Sequence, residues 1–293
     1  MTHVLEFVLA GVAVGALYAL MAVGLNLVFG VMRFINVAHG DLLTLGAYAS
    51  ILWVAWMAPE PVGALLAAVA VGLVAGAAME RGLIARFAEA GRVNEQRALV
   101  LTLGLSMVLS NLMLAAFGAE YRSGLGVLRG VNVHLGDLTV EGQRLLALGG
   151  SVALSVLLMV FLRYTRLGLA MRATAQNPDA ALASGIDVRR VHTIAVAVGT
   201  ALAAASGSLI APITYVSPTM GFPLAIKSFI VVIVGGLGNV WGAMIAGYLL
   251  GVGESLAVLG LPSGYDALIG PVLMVIVLVW RPSGLFGRKT DRA

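Results

Sequence analysis

The chain has no cysteine, which excludes a disulfide framework, a Cys-ligated metal and a thiol nucleophile. Charge is nearly as scarce. Only 11% of the 293 residues are Asp, Glu, Lys or Arg, against roughly 25% in an average soluble domain. So few charges cannot cover a surface that faces water. No G-x-x-x-x-G-K-[ST] occurs, nor any Gly-Lys pair, so the sequence carries no phosphate loop for ATP. Neither H-E-x-x-H nor G-x-S-x-G is present, which removes the common hydrolase signatures. The histidines, His3, His39, His134 and His192, lie in different segments without ligand spacing, so no metal or other cofactor is expected.

What the chain has in abundance is apolar residues, 60% of the total, giving a mean hydropathy of +1.00. They fall into blocks of about 20 residues, the length of a membrane-crossing helix. The blocks are about 7–30, 37–57, 61–79, 98–117, 145–162, 193–216, 225–259 and 264–280. The expectation is an all-α, polytopic transmembrane helix bundle, one transmembrane domain over residues 1–293. The first block has no Lys or Arg before it and exceeds the apolar core of a signal peptide, so it reads as a retained span. Block 225–259 is too long for one helix and is interrupted by Gly235-Gly236-Leu237-Gly238-Asn239, which predicts a broken or re-entrant segment. Irregular backbone at that depth must be covered by protein or line a water-filled cavity.

The net charge of +4 and the isoelectric point near 9.7 follow from arginines between apolar blocks, the positive-inside pattern rather than a nucleic-acid surface. Arg81, Arg86, Arg92 and Arg97 occupy one loop; Arg163, Arg166, Arg172, Arg189 and Arg190 occupy another, 163–192. Two spans separate these loops, so both should be cytoplasmic, with the N-terminus outside. A tail at 281–293, bearing Arg281, Arg288, Lys289 and Arg292, should then also be cytoplasmic. That parity requires 225–259 to cross twice or not at all. Gly11/Gly15, Gly72/Gly76 and Gly247/Gly251 are small-xxx-small pairs that suit close helix packing in lipid.

The clearest local pattern lies within 163–192. Asn177 suits an N-cap, Pro178 the first helical position and Asp179 the positive end of the dipole. Gly185 suits a C-terminal stop, and Asp187 can cap the next span. A short cytoplasmic helix of about two turns results. It is either a surface connector or a coupling helix, a rigid knob through which a soluble motor subunit moves the spans. Asn177, Pro178, Asp179, Ala180, Gly185, Ile186 and Asp187 are the residues it would use.

This stretch resembles the ATPase-contacting loop of the LivH-type permeases, the membrane subunits of branched-chain amino-acid ABC importers. Three further segments resemble the same family in the same order. They are Asn36-Val-Ala-His39-Gly40-Asp41 with Gly46-Ala-Tyr48, then Gly235-Gly236-Leu-Gly238-Asn239-Val-Trp-Gly242-Ala, then Gly251-Val-Gly-Glu254-Ser255. Val37 departs from a position often aromatic in the family. The resemblance implies an importer for branched-chain or related amino acids, urea or short amides, in a bacterial or archaeal cytoplasmic membrane. It also implies a second homologous permease, two ATP-binding subunits and an extracytoplasmic substrate-binding protein.

Candidates for the translocation path or gate are Asn26, Asn36, His39, Asp41, Gly235, Gly236, Gly238, Asn239, Gly242 and Glu254. For Asn36–Asp41 two readings stand: a helix-entry cap at the cytoplasmic interface with Asn36 capping, or a gate. For the glycine interruption, exposed backbone lining the route competes with a tight hairpin needed for packing. Glu254 lies in a span or at the outer interface, beside Asp266, while Asn26 and Asn111 are intramembrane amides able to bridge helices. Buried acids are few. That favours an external energy source over an ion-gradient-driven carrier.

Overall fold

A computed structural model describes residues 2–57, 60–89, 92–124, 131–135, 138–262 and 264–287. The basic tail residues Arg288, Lys289 and Arg292 lie outside the described residues. The described residues form eleven α-helices: α1 Thr2–Met32, α2 His39–Trp56, α3 Pro61–Met79, α4 Glu95–Phe117, α5 Gly142–Tyr164, α6 Arg166–Gln176, α7 Pro178–Ala183, α8 Val188–Ile210, α9 Gly221–Gly235, α10 Val240–Ala257 and α11 Ile269–Trp280. Helices α1, α3, α4, α5, α8 and α10 are long and apolar enough to cross a membrane.

The helices begin and end where local chemistry dictates. Pro61 opens α3, its fixed φ suiting a first turn that needs no N–H. Asn94 caps α4 by accepting the Gln96 and Arg97 amides, each at 3.1 Å, and Gly118 ends it at φ +75°. Helix α1, and α8 beyond its arginine-bearing first turn, are largely buried, as expected of central helices. Helices α3, α4 and α5 carry a narrow buried stripe and a broad apolar outer face, the distribution of helices at a bundle's rim.

All three glycine pairs sit at helix contacts. A Cβ on Gly11 would lie 2.8 Å from Val252 Cα, and one on Gly15 2.9 Å from Tyr248 Cα, so α1 and α10 run antiparallel at backbone contact. Gly72 and Gly76 bring α3 equally close to Ala201 and Ala197 of α8.

Block 225–259 is two helices rather than one. α9 starts earlier than expected, at Gly221, and reverses into α10 through the glycine turn. The arginine-bearing ends of α3 and α8 meet, joined by the Thr193 hydroxyl donating to Glu80 at 2.6 Å. Arg33 at the end of α1 donates to the Ala175 carbonyl of α6 at 3.2 Å. At the opposite end, Arg122–Ser123 pairs antiparallel with Tyr215–Val216. Expected span 193–216 ends early because α8 stops at Ile210 and the chain turns back into the bundle before α9.

Candidate translocation and coupling sites

The Asn36–Asp41 segment departs from the interface position expected of it. After α1 the chain reverses at Arg33, in the left-handed region at φ +59°, and runs back along α1 before α2 begins. His39 Nε2 lies 3.0 Å from the Met21 carbonyl oxygen. Met21 is eleven residues inside the end of α1, about 16 Å at 1.5 Å per residue, or half of a hydrocarbon layer about 30 Å thick. Asn36, His39 and Asp41 are 0%, 0% and 1% exposed. Asn36 is not the cap of α2 either; that position is Ala38, without a side-chain bond. Asn36 Oδ1 instead accepts the Ala38 amide at 3.1 Å, holding the turn before the helix.

Helix α9 starts at the same place. A Cβ on Gly221 would meet the Asp41 backbone nitrogen at 2.9 Å, so the first turns of α2 and α9 abut deep in the bundle. Each helix start carries roughly half a positive charge and unpaired N–H groups, and the Asp41 carboxylate sits between them. Ser106 and Ser110 of α4 both donate to that carboxylate, Ser110 at 3.1 Å. Thr102, one turn before Ser106, accepts the Val37 amide at 3.2 Å. Sequence reading passed over this hydroxyl stripe, although Thr102, Ser106 and Ser110 recur every four residues along an apolar helix and could have been read as one polar face.

The glycine interruption is a closed knot. Asn26 Nδ2 donates to the Asn239 carbonyl at 2.7 Å and to that of Gly236 at 3.3 Å, while its Oδ1 accepts the Gly238 amide at 2.6 Å. Asn239 caps α10 through Gly242 and donates to the Phe286 carbonyl at 2.8 Å. Leu285 and Phe286 amides donate to the carbonyls of Val234 and Gly235 at 2.8 and 3.2 Å. Gly236 and Gly238 hold φ of +106° and +80°, where L side chains are strained. Much of the turn's backbone is thus paired with protein, and Gly235 and Gly242 lie at backbone contact with each other. Asn26 bridges helices; Asn111, by contrast, donates only within α4, to Met107 at 2.7 Å.

Glu254 is joined by a residue the sequence reading missed. Lys227 of α9 lies 2.7 Å from Glu254 Oε2 and donates to the Tyr18 hydroxyl at 2.7 Å; Tyr18 in turn donates to Glu254 at 2.8 Å. The Lys227 ammonium also lies 4.8 Å from the Tyr18 ring centroid. A lone lysine within an apolar helix was itself the signal, since intramembrane cations are costly and kept for a reason. Asp266 is partly exposed in a short 3-10 turn before α11.

At the arginine-bearing end, Asn177 Oδ1 accepts the amides of Asp179 and Ala180, each at 3.1 Å. Pro178 is the first residue of α7. Gly185, at φ +81°, ends it: the Gly185 and Ile186 amides bond the carbonyls of Leu182 and Ala181 at 3.0 Å, a Schellman closure. Asp187 caps α8 through the Arg190 amide at 3.0 Å. Preceding it is a helix the sequence reading did not separate, α6, capped by Thr165. Between the turn after α3 and the start of α8 opens a cleft lined by Glu80, Arg81, Arg86, Asp187, Arg189 and Arg190. Among the described residues no three His, Cys, Asp or Glu side chains converge as a metal site.

Comparison with known proteins identifies relatives of the chain. The family described as branched-chain amino acid transport system / permease component matches over residues 7–278. A high-affinity branched-chain amino acid transport system permease protein, LivH of Escherichia coli (strain K12), is 31% identical over 98% of this chain and 96% of its own. BraD of Pseudomonas aeruginosa, described in the same words, is 28% identical over the same shares. LivM of Escherichia coli (strain K12), a further high-affinity permease protein, is 31% identical over 46% of this chain and 32% of its own.

Proposed function

This chain belongs to the family of permease components of branched-chain amino acid transport systems, and from that premise we propose that it forms the path by which Leu, Ile or Val enters the cell. It works as one subunit of an ABC importer, driven by separate ATPase chains. A second, homologous permease, two ATP-binding subunits and an extracytoplasmic binding protein complete the complex. The N-terminus is outside; α6, α7 and the tail are cytoplasmic.

One observation carries the coupling step: α7 is capped at both ends, its Leu182 is 62% exposed, and only a few residues separate it from α8. A knob that cannot fray transmits force instead of absorbing it. Asp187 fixes the first turn of α8, which is buried along its length against α1, α2 and α3. A push on α7 therefore reaches the deep start of α2 through a rigid central helix. Arg81, Arg86, Arg189 and Arg190, around the start of α8, suit acidic side chains on the motor.

The test is co-purification of tagged permease with its ATPases, followed by ATP-dependent leucine uptake in proteoliposomes. Gly185→Val and Asp179→Lys are expected to reduce ATPase capture and uptake together. Undiminished capture in both variants would remove α7 as the docking element. The Lys227–Glu254 pair is a feature that a gradient-driven carrier would also use. Leucine uptake by the permease alone, under a proton or sodium gradient without ATP, would establish that second reading instead.

A further inference from the structure

Tyr18, Lys227 and Glu254 come from three helices and meet inside the bundle, Glu254 three residues before the end of α10. Tyr18 stands 14 residues before Met32 and 16 after Thr2, about 21 and 24 Å from the ends of α1. An ammonium facing lipid tails there is penalised, though less than at the bilayer centre. Yet the Lys227 side chain is 27% exposed, while Glu254 is 10% exposed. The uncovered part of Lys227 therefore faces water or another protein surface rather than hydrocarbon. Exposed Pro223 lies one turn before Lys227 on α9, and exposed Phe222 and Ile226 flank that face. A charged pair thus opens onto an apolar wall.

We propose that this trio is a station for the zwitterionic backbone of an amino acid in transit: Lys227 receives the α-carboxylate, Glu254 the α-ammonium, and the side chain lies against the apolar face of α9. This rests on the permease reading above and names the chemistry that recognises the cargo inside the membrane. In the empty state Lys227 and Glu254 neutralise each other. When a zwitterion enters, one internal ion pair is exchanged for two between protein and cargo, and the net charge at the site stays at zero in both states. Tyr18, which both accepts from Lys227 and donates to Glu254, can release either contact and keep the other group paired during the exchange. A pair that served packing alone would be matched or bettered by apolar side chains of the same volume, and would have no reason to leave the lysine partly uncovered.

The experiment uses the assembled complex in proteoliposomes, supplied with binding protein loaded with radiolabelled L-leucine, and reads leucine carried per ATP hydrolysed. Lys227→Met and Glu254→Gln are expected to lower that ratio roughly tenfold, the effect of removing one charge-assisted hydrogen bond. The exchange Lys227→Glu/Glu254→Lys keeps an ion pair but swaps its poles; it is expected to assemble while leaving the ratio low. An assembled single variant, or the exchanged pair, working at the unsubstituted ratio overturns the proposal. Independently of any variant, saturating L-leucine should slow modification of Lys227 by an amine-directed reagent in the unsubstituted complex, and isoamylamine, which lacks the carboxylate, should not. Equal rates with both also overturn it. Failure of the unsubstituted complex to carry leucine with ATP would instead strike the permease reading itself.

Discussion

Single side chains in this protein hold segments that are distant in sequence. Asn26 is the clearest case, because one buried amide satisfies backbone groups of Gly236, Gly238 and Asn239. Asn26→Ala takes the partner of the Gly238 amide, while the carbonyls of Gly236 and Asn239 keep the amides of Asn239 and Ala243, so the cost is that of one orphaned group, about 1 kcal/mol. A modest fall in thermal midpoint of the detergent-solubilised protein is expected; an unchanged midpoint would mean water replaces the amide. Asp41 acts likewise between α2 and α4. Asp41→Ala should loosen α4, read as faster amide exchange over residues 102–113. Asp41→Asn, which keeps an oxygen acceptor for Ser106 or Ser110, should loosen it less.

At the scale of elements, glycines divide into those that admit a neighbour and those that do not. Gly15 and Gly247 lie at backbone contact between α1 and α10, whereas a Cβ at Gly104 meets nothing within 4 Å. Gly15→Leu should therefore abolish the folded bundle, and Gly104→Ala should stabilise α4 by about 1 kcal/mol through helix propensity alone. Reversal of that order in thermal unfolding would contradict the α1–α10 contact. Gly185 is a third kind: a Cβ there has free space, but φ is +81°. Gly185→Ala is expected to cost about 1–2 kcal/mol through the left-handed backbone, confined to α7, so ATPase capture falls while the global midpoint barely moves.

The chain as a whole shows which features a sequence discloses. Caps are local, so Asn177, Pro178, Gly185 and Asp187 were readable from neighbours a few residues away, and the structure places each where its chemistry suggested. Apolar length is local too, and the long spans were legible from it. The depth of Asn36–Asp41 was not, because it depends on the chain doubling back at Arg33 and on α9 arriving from the other end of the sequence. Lys227 was overlooked for the same reason: its partners are 209 and 27 residues away. Orientation is testable with unusual economy, since the chain has no cysteine. With Ser184→Cys as the sole thiol, a membrane-impermeant maleimide should label permeabilised cells and spare intact ones; labelling from outside would invert the assigned sidedness.

The bonds from Leu285 and Phe286 to the end of α9 carry a consequence for biogenesis. When α9 and α10 first enter the membrane, the carbonyls of Val234 and Gly235 have no tail to receive, because the residues that cover them are not yet synthesised. The turn must stay hydrated, or be sheltered by the insertion machinery, until α11 has been threaded and the segment after it returns. Insertion of this bundle is thus completed by a late stitch rather than helix by helix, and a chain stalled before Leu285 would remain unfinished at the α9–α10 turn.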